Sequence, residues 1–135
     1  MLGSIPLLII PFILYNIGLT GAIGDAADPW QTELFSVSMM SGGVFTVTLA
    51  DALVVIGLIL LFVEVVKSTR TSNSSIVDHL LSTFVFVAFL VEFLLVKGAA
   101  HSVFFTLMLI SLVDVLSGFS VSIRAAGRDV NIGQG

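Results

Sequence analysis

The chain has 135 residues, of which 57% are hydrophobic and only 10% charged, and its formal net charge is −4. A soluble domain carries roughly 25% charged residues, and so short a chain cannot bury this much apolar surface in water; its mean hydropathy of +1.16 makes lipid the expected solvent. Five basic residues exclude a nucleic-acid footprint, and the lack of cysteine excludes disulfides, thiolate metal sites and thiol catalysis.

A spanning helix needs about 20 mostly apolar residues. Four runs qualify, which predicts an all-α integral membrane protein, a single domain built as a four-transmembrane-helix bundle. The first span covers residues 2–22, with Pro6 and Pro11 in its opening half. Pro11 is expected to kink this helix or fray its start, because it removes a backbone donor. The run lacks the basic leader of a signal peptide and is long for one, so it is expected to be a retained helix despite the small residues of "GAIGDAA".

"DPWQ" follows, with Asp28 as N-cap, Pro29 at the first helical position and Gln31 at the capping-box position. Trp30, Leu34, Val37 and Met40 recur at helical spacing. Residues 29–40 are therefore expected to form a short amphipathic helix on the outer membrane surface, anchored at the interface by Trp30. An outward extension of the second span is the alternative. Gly42-Gly43 then turns the chain into that span, residues 44–66.

"STRTSNSS" reads as a solvated loop, with Ser75 and Asp78 as the capping box of the third span, residues 76–96. Gly98 is placed to end that helix in the tight connection "KGAAHS". The fourth span covers residues 102–123, and 124–135 form a polar tail expected to be mobile. Lys67, Arg70, Arg124 and Arg128 fall on one side of this arrangement, against Lys97 on the other. The excess of Lys and Arg marks the cytoplasmic side, so both termini are expected there. The expected location is the cytoplasmic (inner) membrane of a bacterium.

Each span carries one strongly polar side chain inside the apolar zone: Asn16, Asp51, Glu92 and Asp114. No Lys, Arg or His lies at those depths. A buried charge costs roughly 2.5–3.5 kcal/mol on insertion scales, so these groups are expected to face one another or a wet cavity. Ser111, Asp114 and Gly118 form a small, polar stripe of the kind that packs against helices. Glu64 and Asp78 are expected to be solvated near the inner interface, Glu64 with Lys67 as an ordinary i, i+3 pair.

His79 and His101 begin the third and fourth spans at opposite sides, about 30 Å apart, so one chain cannot clamp a haem between them. No nucleophile elbow, HExxH or Gly-rich phosphate loop appears. No catalytic residue, metal or cofactor is expected. In size alone the chain resembles the small multidrug-resistance transporters and the small dual-topology fluoride channels. The former carry a key glutamate in the first helix, where this chain has Tyr15 and Asn16, and the one-sided basic residues depart from dual topology.

Two functions are open. The first is a non-enzymatic accessory or structural subunit, docking onto other membrane subunits or onto itself within the bilayer. The alternative is a small proton- or cation-coupled transporter or channel using Asp51, Glu92 and Asp114, with Asn16 and Ser111 as further polar candidates.

Overall fold

The helices follow the apolar runs, but local caps move their ends. In the computed structural model the described residues are 5–20, 28–69 and 73–134; of 73–76, 122 and 124–134 the backbone alone is described. Helix α1 is Ile9–Leu19. Pro11 is its third residue, where the backbone N–H has no helical partner, so the ring is accommodated at the frayed start that proline predicts. Turn bonds from Ile9 N to Pro6 O and from Ile10 N to Leu7 O lead into it. At 1.5 Å per residue α1 is about 16 Å long.

Helix α2 is Leu49–Ser68, α3 is Asn73–Leu95 and α4 is Ser102–Gln134. Among the described residues three helices are long and apolar enough to cross a membrane: α2, α3 and the Ser102–Val121 part of α4. The expected tail is helical instead, since α4 runs unbroken to Gln134 and carries the backbone of Arg124 and Arg128 with it. Arg70 lies outside the described residues. Ser75 is inside α3, not its N-cap. Gly98 does not end α3 either; it sits in a 3-10 turn, Lys97–Ala99, two residues beyond Leu95.

The segment expected as an interfacial helix is a β-hairpin. Pro29–Gln31 make one 3-10 turn, capped as expected by Asp28, and β1 (Glu33–Ser38) then pairs antiparallel with β2 (Val44–Thr48). The chain is thus mostly helical rather than all-α. "FSVS" and "VFTVT" alternate with the strand period of two and are rich in β-branched and aromatic residues, which outweighs the four-residue recurrence from Trp30 to Met40. Gly42 closes the turn with φ +90°, where a side chain is strained. The second span accordingly begins at Leu49, not at Val44.

Helix α4 is the centre of the bundle, packed against both α2 and α3. Val55, Ile59 and Phe62 of α2 and Phe84, Val91 and Leu94 of α3 are exposed, as lipid-facing residues would be. Between the helices Phe89 packs edge-on against Phe12 at 4.9 Å and tilted against Phe104 at 5.3 Å. Tyr15 lies 4.8 Å from Phe104 and stacks on Trp30 at 4.8 Å with an 8° interplanar angle. Trp30, expected as a surface anchor, is only 3% exposed and plugs the hairpin end of this aromatic column.

Gly18 is what lets it in: a Cβ there would meet Cη2 of the Trp30 ring at 2.7 Å. Gly18→Ala should destabilise the protein by about 1–3 kcal/mol through overpacking. The check is the unfolding midpoint in mixed detergent together with the emission of the single tryptophan; an unchanged midpoint would show that the ring is not held there.

Candidate functional site

Polar side chains collect at two levels of the bundle, and neither is the set the sequence suggested. At the end of α2, Glu64 and Lys67 form the expected i, i+3 ion pair at 3.0 Å, and Lys67 Nζ also reaches Asp78 Oδ1 of α3 at 3.3 Å. Neither carboxyl is solvated: Glu64 is 1% exposed and Asp78 5%. The cover comes from residues far away in sequence. Leu7 N–H donates to Glu64 Oε1 at 2.7 Å, and Lys67 Nζ donates to Ile5 O at 2.9 Å, so the approach to α1 folds over the pair.

Asp114 of α4 is buried at this same level, with Ser82 of α3, Glu64, Asp78 and Lys67 close enough to act on its charge. Ser111 lies one turn along α4, fully buried, and its hydroxyl has no partner among the described residues. Gly118 completes the stripe and is covered by the His79 ring, which also stands edge-on to Phe119 at 4.4 Å. The stripe of Ser111, Asp114 and Gly118 therefore packs inside the chain. Lys67, read from sequence as a cytoplasmic marker, is also the ammonium that holds this cluster together.

The second level lies toward the hairpin. Glu92 of α3 lies beside Asn16 of α1, whose Nδ2 donates to Phe12 O at 2.8 Å. Asp78 and Glu92 are 14 residues apart on α3, about 21 Å along the axis. Between the two levels stand Val85, Phe89, Phe104 and Leu107, all buried.

Asp51 belongs to neither level. It is the third residue of α2, exposed, and its Oδ2 accepts from Thr48 N at 3.0 Å and from Thr48 Oγ1 at 3.1 Å. Thr48 Oγ1 in turn accepts from Asp51 N at 3.3 Å, completing a reciprocal capping box. A carboxylate in the first turn also faces the positive end of the helix dipole. The acid in the middle of an apolar run is thus a helix start signal.

At the hairpin end His101 Nδ1 accepts from Val103 N at 3.1 Å, which leaves Nε2–H to donate to Asp28 Oδ2 at 3.0 Å. Asp28 also accepts from Trp30 N at 3.2 Å, so one carboxylate links the start of α4 to the turn that carries Trp30. The hydrogen bond from His101 holds the Asp28 carboxyl below its ordinary value. Tyr15 Oη donates to Gly98 O at 2.7 Å and ties α1 to the turn before α4. From sequence His101 only marks the start of the fourth span; the Asp28 contact spans 73 positions and leaves no local signal.

Among the described residues no group of three or more His, Asp or Glu side chains is arranged to hold a metal ion. The chain matches no known protein family model, curated protein or solved structure.

Two outcomes follow from this geometry. Lys67→Met leaves Glu64 and Asp78 buried without their counter-ion, which should cost about 3–5 kcal/mol. Glu64→Gln in that background keeps the acceptor for Leu7 N–H and should recover part of the loss, read as a rise in unfolding midpoint over the single variant. The second outcome concerns pH. Because folding lowers the Asp28 value, its contribution is complete above the ordinary aspartate range and is lost as pH falls through the lowered folded value. Tryptophan emission should shift over that acidic interval, and the shift should be absent in Asp28→Asn.

Proposed function

We propose that the chain is a small, non-enzymatic polytopic membrane subunit whose buried polar groups hold its own helices together while its outer faces contact lipid and a second subunit. The observation that carries this is where the ionic valences go. Glu64 accepts from Leu7 N–H and Lys67, and Lys67 uses its three donors on Ile5 O, Glu64 and Asp78. The buried aromatic layer between this cluster and the Asn16–Glu92 pair supports the same reading, since a transport path needs polar groups or water along its length.

The reading includes four crossings with both termini cytoplasmic. Supporting it, α1 is tied to Glu64 near its start and to Gly98 near its end, at opposite ends of the bundle. Four of the five basic residues then fall on the Lys67 side. For a neighbour, α2 and α4 leave an open groove of about 380 Å³ lined by Val65, Val113, Leu116, Ser117, Ser120 and Val121. Its two serines are small enough for the close approach of a transmembrane helix from another subunit.

A proton- or cation-coupled role is the second reading. One observation favours it: the Lys67 cluster sets three carboxyl groups, Glu64, Asp78 and Asp114, against a single ammonium. The residues concerned differ from the three named by sequence, since Asp51 caps a helix and Glu92 sits on the other level.

The native mass of the protein extracted in mild detergent tests the first reading. A stoichiometric hetero-assembly or a defined homo-oligomer is expected; a monomer carrying proton flux in proteoliposomes would overturn it. In that case Asp114→Asn should abolish the flux and Asp51→Asn should leave it unchanged.

A further inference from the structure

The hairpin register, with a bulge between Glu33 and Phe35, sorts most of its side chains by character. Phe35 pairs with Val47 and Val37 with Phe45, so these four share one face. Ser36 pairs with Thr46, Ser38 with Val44 and Glu33 with Thr48 on the other, where the Ser36 hydroxyl donates to the Glu33 carboxylate. One face is therefore wholly apolar, and the other carries hydroxyls and a carboxylate, with Leu34 and Val44 the exceptions. Among the described residues nothing covers Phe35, Val37 and Phe45, which are each about half exposed. A two-stranded hairpin is marginal in water on its own, and this one would leave two aromatic rings bare there.

Its position is fixed by α2. Thr48 is both the last residue of β2 and the N-cap of the helix, and Leu49 N–H donates to Thr32 O at 2.8 Å, closing the base of the hairpin on the helix start. The 20 residues of α2 make about 30 Å, the thickness of the hydrocarbon core. The hairpin therefore departs where hydrocarbon gives way to headgroups. From Leu34 to Ala50 there is no charged residue, so charge recruits no partner to it. The footprint is also small. Six residues at about 3.3 Å and two strands about 5 Å apart give a face on the order of 200 Å², against about 800 Å² per partner for a stable protein interface. Lipid imposes no such minimum, because each apolar side chain inserted adds to the binding.

We propose that the hairpin lies in the plane of the bilayer surface, with Phe35, Val37, Phe45 and Val47 inserted among the lipids and the Ser36–Thr46 face toward water.

The absence of cysteine allows single labels to be placed at will. Val37→Cys, Phe45→Cys, Ser36→Cys and Thr46→Cys are each spin-labelled in the full chain and reconstituted into phosphatidylcholine vesicles. Accessibility to molecular oxygen, which concentrates in lipid, is compared with that to a water-soluble nickel chelate. The expected result is an oxygen-to-nickel ratio several-fold higher at 37 and 45 than at 36 and 46, with the first two at a depth of about 5–10 Å. Nickel access at all four positions would overturn the proposal in favour of a hairpin standing in water. Labels at 37 and 45 shielded from both reagents would overturn it in favour of a protein cover, and dipolar broadening between labels would identify that cover as a second copy. All four positions are exposed and lie outside the bundle core, and unchanged Trp30 emission confirms that each labelled chain is folded.

Discussion

A lysine ammonium carries three donors, and in an apolar interior each must find an acceptor. Lys67 finds Ile5 O, Glu64 and Asp78, one on each of three chain segments. That constraint organises one end of the molecule. Without it two carboxyl groups would be buried with no counter-charge, and the chain entering α1 would lose its tie at Ile5 and keep the one from Leu7 N–H to Glu64. Lipid cannot supply the difference, because hydrocarbon outside the bundle is as apolar as the side chains within it and gives the helices little drive to associate. Directional contacts therefore matter more here than in a water-soluble bundle.

The other end is held by different means. Tyr15, Trp30 and Phe104 form a packed aromatic run, and only its rim is polar, through Tyr15 Oη on Gly98 O and His101 on Asp28. Helix α1 thus runs between an ionic clamp and an aromatic one. The two are complementary: the first is strong but depends on charge balance, and the second depends on shape, as the close approach of Trp30 to Gly18 shows. The buried apolar residues Val85, Phe89 and Leu107 stand between them and keep each local.

The apolar runs were legible because lipid demands about 20 such residues in succession, and three of the four expected spans recur as helices of that length. Asn16 with Glu92 was legible as a shared depth. What escaped was whatever depended on a partner remote in sequence. Glu64 and Asp78 stand near helix ends, where charged residues ordinarily reach water; only Ile5 and Leu7 folding over them makes the site buried. The hairpin was missed for another reason. "FSVSMM" satisfies a helical recurrence and a strand alternation at once, and a short segment that fits both periods is settled by its neighbour across the turn. Here that neighbour is "VFTVT", which the helical reading had assigned to the second span.

Asp51 shows how one such boundary propagates. Counted from Val44, it lies inside a membrane and requires a partner or a function. Counted from Leu49, it is the third residue of a helix, at the position where a carboxylate satisfies an orphan backbone donor and meets the positive end of the dipole. The five residues of β2 are the whole difference between the two accounts. The same shift moves chemical interest from Asp51 to Asp114, which keeps its place in the middle of a span under either count and is the one of the three acids that joins the Lys67 cluster. In an apolar chain the depth of a charge has meaning only once the helix start is known, and the start is written in the cap residues rather than in the hydropathy.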